Sequence, residues 1–322
     1  MSDRKKKRRR KPVALQWMEY GLFRLIQGIL RLLPIFLVRR VGSAFGSIGL
    51  AIARSRTNLA IRNVSKAFPE KEEVEIERIV RECWKRFSIE TLLYVRAIDA
   101  PADDLGREAE LVNREYLERA FAQERGLIVY TAHFGAWESA IAVIRSLGRP
   151  FAVVARPLDN ELLEKLLQRS RRRFDVEMVP KRNAARTLIR RLAKHEGVLV
   201  LPDQAVHPRE GILVPFLGTP AWTSTAPARL ALRFGAPLVG AFCYRREGRV
   251  IAELTEPILT DDMEESRGNV ELLTSRINEE ISKRIRDDPP LWLWMHDRWK
   301  NVDETVTGAN RAARGAPASP PE

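Results

Sequence analysis

The 322-residue chain is poor in the side chains that metal and redox sites need, with two cysteines and four histidines. Cys83 and Cys243 lie in unrelated contexts 160 positions apart. They offer neither a metal quartet nor a disulfide framework, and a reducing compartment is the default for such a chain. No G-x-G-x-x-G or P-loop pattern follows any predicted strand, which leaves a nucleotide cofactor without support. No uninterrupted apolar run reaches the roughly 20 residues of a bilayer span, so a multi-span transporter is excluded. No A-x-A site follows the first apolar stretch, which argues against a cleaved signal peptide. With 45% hydrophobic and 30% charged residues the chain is not disordered or fibrous either. Its length suits one large α/β domain or two smaller ones.

Positive charge is what the chain has in excess: 55 Lys and Arg against 42 Asp and Glu, a net +13. Much of it sits at the N-terminus, where Lys5, Lys6, Lys7, Arg8, Arg9, Arg10 and Lys11 are consecutive. Such a run reads as a nucleic-acid arm, a contact with an anionic membrane, or a solubilising tail. Two apolar stretches follow, residues 21–38 and 41–53, and they favour the membrane. In the first, Arg24, Gln27 and Arg31 share one helical face, while Leu22, Phe23, Leu25, Ile26, Ile29, Leu30 and Leu33 lie opposite. This is the pattern of an amphipathic helix lying in the interface, with the basic run against an anionic leaflet.

Residues 54–96 read as helical, with a break at Pro69 and Glu70 and a helix over 72–94. From about residue 111 short apolar runs alternate with helical patterns. Strands are predicted at 126–133, 151–155, 176–179, 197–201, 237–245 and 249–256, the last two forming a hairpin. Helices are predicted at 113–123, 136–147, 159–174, 184–194, 226–234 and 264–287, with a polar loop before 226. Residues 305–322, rich in Ala, Gly and Pro, read as a disordered tail. The alternation predicts an α/β fold with a mostly parallel or mixed sheet flanked by helices. Ligands of such sheets bind at the carboxyl ends of strands, which singles out His133, Arg156 and Asp203.

The sharpest local motif is His133-Phe134-Gly135-Ala136-Trp137-Glu138. A histidine at a strand end is followed five positions later by a carboxylate on the next turn. Glu138 would hold one ring nitrogen and fix the tautomer, leaving the other as a general base. Ser139 lacks a G-x-S-x-G elbow, so no protein nucleophile accompanies the base. A base alone suits direct transfer, in which a substrate hydroxyl attacks an activated acyl group.

These residues resemble the bacterial lipid A biosynthesis acyltransferase family, the lauroyl and myristoyl transferases within the lysophospholipid acyltransferase superfamily. The family's HFGNWE appears here as HFGAWE at 133–138. Its Tyr-Arg-Pro-x-x-Asn appears as Ala155-Arg156-Pro157-Leu158-Asp159-Asn160, and its Arg-x-x-Phe pattern as Arg171 to Phe174. Pro202-Asp203-Gln204, Phe216-Leu217-Gly218 and the tryptophan-rich 292–300 segment complete the order, with Asn58-Leu59 and Ala67-Phe68-Pro69-Glu70 upstream. The departures are Ala136 for Asn, Asp175 for Gly, Leu291 for Gln and Asp297 for Arg; none removes His133 or Glu138.

The resemblance implies a glycerolipid-acyltransferase-like domain over 56–304, preceded by a basic arm and membrane-associating helices at 1–55. It implies O-acyl transfer at the cytoplasmic face of the inner membrane, from acyl carrier protein or acyl-coenzyme A to a glycolipid acceptor. No resident cofactor or metal is expected. His133 and Glu138 are the expected catalytic pair. Arg156, Arg171, Asp203, Gln204 and Arg298 are the expected substrate contacts, with Arg298 facing an anionic group. The expected partners are the acidic carrier, the glycolipid and an anionic membrane surface, with no nucleic acid. A nucleic-acid-binding protein and a catalytically idle membrane scaffold are the competing readings.

Overall fold

The computed structural model describes residues 11–99, 109–141, 150–172, 174, 176–180 and 184–302. The basic run before residue 11 and the 305–322 tail therefore lie outside the described residues, apart from Lys11.

Four helices come first: α1 (Val13–Leu32), α2 (Ile35–Ile52), α3 (Arg54–Ala67) and α4 (Glu73–Ala97). Pro34 separates the first two, as expected of a residue that removes a helical N–H. A mostly parallel sheet follows, built from β1 (Ala109–Val112), β2 (Leu127–Tyr130), β3 (Phe151–Ala155), β4 (Val176–Pro180), β5 (Gly197–Val200), β8 (Leu238–Arg246) and β9 (Arg249–Leu254). Its strand order is β1-β9-β8-β2-β5-β3-β4. Strands β8, β2, β5, β3 and β4 are mutually parallel; β9 runs antiparallel to β8, and β1 follows β9. The expected α/β class with a mixed sheet is therefore the class observed.

Alternation along the strands divides the interior into two cores. Ile128, Tyr130, Val198 and Leu238 face one core, which holds buried residues of α3, α4, α7 (Ala184–Leu192), α8 (Ala226–Phe234) and α9 (Arg267–Asp287). Leu127, Val129, Leu199 and Val239 face the other, with Leu117 and Ala120 of α5 (Arg114–Phe121). Asn160 caps α6 (Glu161–Arg172), its side-chain oxygen accepting from the N–H groups of Leu162 and Leu163.

Two expectations are corrected. The polar loop before residue 226 contains an antiparallel hairpin, β6 (Gly211–Phe216) and β7 (Thr219–Ser224). Its two turn residues, Leu217 and Gly218, both have positive φ. Leu217-Gly218 carries no Asn-Gly or Asp-Gly signal, and the hairpin is held from outside. Asn278 of α9 donates to the Pro215 carbonyl and to Thr223 Oγ1, while Ser282 accepts from the Leu217 N–H. The helix expected at 136–147 starts as a 3-10 turn at Trp137–Ser139, and residues 142–149 lie outside the described set.

Candidate active site

Strands β2 and β5 are neighbours, so the residues just past their carboxyl ends lie about one strand spacing apart. His133 follows β2 and Asp203 follows β5. The His133 ring Nδ1 is 3.0 Å from Asp203 Oδ1, and the His133 backbone N–H donates to Asp203 Oδ2 at 2.9 Å. The indole N–H of Trp292 donates to the same Oδ2 at 2.9 Å. An ionised carboxylate only accepts, so Nδ1 carries the proton and Nε2 is left with its lone pair. Asp203 is 1% exposed and His133 about a quarter exposed, so the carboxylate is sealed while the ring is accessible from outside.

Burial alone would raise the Asp203 carboxyl. The adjacent His133 charge and three hydrogen bonds outweigh it and hold the group below its ordinary range. Burial alone would lower the His133 imidazole; the Asp203 carboxylate, and more weakly Glu138, raise it above its usual value.

Glu138 does not hold the His133 ring; that expectation is corrected. Its Oε2 accepts from Arg171 Nη2 at 3.0 Å, and the Tyr94 hydroxyl sits close to both groups. The reason is the 3-10 turn, which carries Glu138 past Trp137, toward α4 and α6. The Trp137 ring stands between, 5.6 Å from the His133 ring and stacked at 6.0 Å on Phe87. Glu138, Arg171 and Tyr94 line the polar side of a cavity of about 210 Å³. Its other walls include Phe87, Leu93, Ile98, Ile141 and Phe174.

The remaining expected contacts divide. Gln204 joins the site, its amide nitrogen 3.3 Å from His133 Nε2. Arg171 joins through Glu138. Arg156 is 82% exposed and 3.9 Å from Asp159, apart from the cavity. Arg298 is corrected, because it faces no cleft. It is fully buried, donates to the Trp222 carbonyl (2.7 Å) and Thr223 Oγ1 (2.6 Å), and lies 4.4 Å over the Phe216 ring. Burial lowers its guanidinium to about 10. Arg298→Ala removes two short hydrogen bonds and leaves a void over the Phe216 ring, and the expected cost is about 3 kcal/mol of stability, read by urea unfolding.

Sequence reasoning missed Tyr94, which reads as one more position in the α4 stripe. It also missed the role of Trp292, whose buried indole has no partner visible in linear order. Gly135 was legible. It has φ +55° and approaches β8 so closely that a Cβ would lie 2.5 Å from the Cys243 carbonyl. The loop is pinned there by Ala136 N–H to the Cys243 carbonyl and Gly135 N–H to the Leu291 carbonyl, both 2.8 Å.

Both cysteine thiols are buried and pushed up to about 12, which removes them as nucleophiles. No hydrogen bond joins Ser139 to His133 among the described residues. A base without a partner nucleophile is an arrangement suited to acting directly on a substrate hydroxyl.

The family described as bacterial lipid A biosynthesis acyltransferase matches residues 2–301, and the chain belongs to that family. It is an acyltransferase. It is 26% identical over 293 residues to the lipid A biosynthesis lauroyltransferase of Escherichia coli K12, covering 91% of this chain and 93% of the relative. To the lipid A biosynthesis palmitoleoyltransferase of the same organism it is 25% identical over 83% of this chain and 86% of the relative. To a phosphatidylinositol mannoside acyltransferase of Mycolicibacterium smegmatis it is 25% identical over 63% of this chain and 67% of the relative.

Proposed function

We propose that the protein moves a fatty acyl group from a thioester to a hydroxyl of a lipid A precursor, at the cytoplasmic face of the inner membrane. The observation that carries this reading is the His133–Asp203 pair, whose imidazole lies 5.6 Å from the ring of Trp137, which itself lines an apolar cavity. His133 Nε2 takes the acceptor hydroxyl proton as the oxygen attacks the thioester carbonyl. The C–O bond forms, the C–S bond breaks, and the imidazolium returns its proton to the leaving sulfur. Asp203 keeps the ring in the useful tautomer and stabilises the imidazolium. The Gln204 amide lies close enough to donate to the carbonyl oxygen as it gains charge. Apolar walls suit a fatty acyl chain, and Arg171, paired with Glu138, supplies one of the two cations in its lining, the other being Arg245 paired with Glu90.

The thioester donor is acyl carrier protein in this reading, an acidic partner that a +13 chain attracts; acyl-coenzyme A is the alternative donor. The reaction needs no metal or resident cofactor, because the thioester is already activated. The two names carried by the relatives, lipid A and phosphatidylinositol mannoside, both denote phosphorylated glycolipids.

The test is labelled acyl transfer in detergent, with carrier-protein and coenzyme A donors and a lipid A precursor as acceptor. Label should reach the lipid with wild type and not with His133→Ala; equal labelling by the two sinks the reading. The same assay gives a pH test. The base works when neutral, so activity falls as pH drops through the His133 value, which the carboxylate holds above the ordinary histidine range. Replacing Asp203 with Asn removes that charge, so the acid limb of its residual activity shifts to lower pH. An unmoved limb would mean that another group titrates.

A further inference from the structure

Helix α1 is turned inside out. A helix on a water-soluble domain buries its apolar stripe and presents its polar face to solvent. Here the polar side faces the protein. Gln27 is 1% exposed and donates to the Val95 carbonyl of α4. The Gln16 side chain accepts from the Glu161 N–H, Glu19 accepts from the Asn160 amide, and Arg24 pairs with Asp99. The opposite face carries Met18, Leu22, Leu25, Ile29 and Leu32 at alternating spacings of four and three. All are at least half exposed, Leu32 at 88%. Trp17 borders this stripe, also more than half exposed. Helix α2 continues the pattern, with Phe36, Phe45, Ile48 and Ile52 exposed.

Helix α2 is long and apolar enough to cross a membrane by length and composition. Its packing argues otherwise. Gly42, Gly46 and Gly49 form a seam against α4. A Cβ at Gly46 would lie 2.5 Å from the Lys85 Cα, and one at Gly42 2.8 Å from the Ile89 Cα. The two backbones are therefore in contact through the middle of α2. Opposite that middle, α4 carries Glu82, Lys85, Arg86 and Glu90, and it packs on the core of the domain through its buried side. Hydrocarbon around α2 would have to admit these charges and the domain behind them, which is strongly unfavourable. Arg39 and Arg40 lie within α2 itself, and the exposed Arg40 extends over Phe36 as a side chain reaching from an apolar face toward headgroups does.

We propose that α1 and α2 form a platform that lies in the plane of an anionic bilayer surface without crossing it. This deepens the membrane placement proposed above and rests on it. The occupant is argued from charge as well as apolarity: the basic run Lys5–Lys11 leads directly into α1, and such runs are drawn to anionic leaflets. The arrangement also sets the substrate route. Leu93 of α4 belongs both to the small core beneath α1 and α2 and to the wall of the acyltransfer cavity. One helix thus separates the docked face from the cavity, and lipid leaving the surface has one helix width to travel.

The test uses the full chain in sealed inside-out inner-membrane vesicles and a membrane-impermeant maleimide. Cys83 and Cys243 are buried, so introduced thiols dominate labelling. Ser2→Cys and Glu271→Cys, one before α1 and one exposed on α9, should label from the same side without detergent. Labelling from opposite sides would show that the chain crosses, overturning this proposal while leaving the membrane placement intact. Recovery of wild type as a soluble dimer, its apolar face covered by a second copy, would overturn both. A second arm replaces outward residues with Leu22→Glu, Leu25→Glu and Ile29→Glu together. Flotation with phosphatidylglycerol-containing vesicles should fall at least tenfold at an unchanged unfolding midpoint, and undiminished flotation would overturn the proposal.

Discussion

Asp203→Asn lowers acyl transfer by about 10²–10⁴-fold without unfolding the protein. The reason is the way its two oxygens are used. Oδ2 accepts from two fixed donors, the His133 backbone N–H and the Trp292 indole N–H. An asparagine must place its carbonyl oxygen there, because an amide NH2 facing two donors is repelled. Its NH2 then occupies the Oδ1 position, 3.0 Å from His133 Nδ1. Nδ1 becomes the acceptor, the ring proton moves to Nε2, and the lone pair needed for the acceptor hydroxyl is gone. Glu138→Gln can still accept from Arg171 through its amide oxygen, and the expected loss is about tenfold, the scale of one charge-assisted hydrogen bond. Steady-state rates of the two variants decide the matter. If Glu138→Gln falls as far as Asp203→Asn, Glu138 has a part in the proton transfer that the free geometry does not display.

Gly135→Ala destabilises the protein by about 3 kcal/mol or more, and activity falls with it. The added methyl would lie 2.5 Å from the Cys243 carbonyl and 3.1 Å from Tyr244 Cβ, at a φ of +55° that disfavours any side chain. Strand β8 resists retreat, because it is paired to β2 at Leu238–Gly240 and to β9 from Ala241 to Arg246, across the point of collision. Relief must come from the loop that carries His133 and Glu138, so the stability loss and the catalytic loss share one cause. Gly218→Ala separates strain from collision. Its φ is +82° but nothing lies within 4 Å of the added methyl, and the expected cost is about 1 kcal/mol. Urea midpoints of the two variants should therefore differ clearly. A Gly135→Ala midpoint equal to that of Gly218→Ala would show that the close approach to β8 is easily relaxed.

The elements that local patterning specifies were legible without coordinates. Apolar runs bounded by turn residues marked β2, β3, β5, β8 and β9, and the three-to-four spacing of α4 and α9 marked those helices within a few residues. The β6–β7 hairpin was not legible, because its turn lacks the usual residues and its stability comes from Asn278 and Ser282 more than fifty positions away. The same distinction runs through the site. His133 was legible as a strand-end histidine, and Asp203 as a strand-end acid, but nothing in linear order joined them. Glu138, five residues from His133, looked the better partner because proximity in sequence is easy to see. Arg298 looked like a substrate contact because its segment mixes aromatic and basic residues, a composition shared by binding faces and by buried clusters.

The sequence by itself determined the α/β class, the strand-end positions of His133 and Asp203 and the amphipathic N-terminus, because each depends on residue type and short-range spacing. Tertiary structure alone decided which carboxylate meets the His133 ring, that Arg298 is internal, that Tyr94 and Arg171 meet Glu138, and which face of α1 turns outward. Those outcomes depend on strand order, and strand order is set by long-range packing. The pairing of β2 with β5 brings position 203 to position 133 across seventy residues, and a 3-10 turn of three residues carries position 138 away.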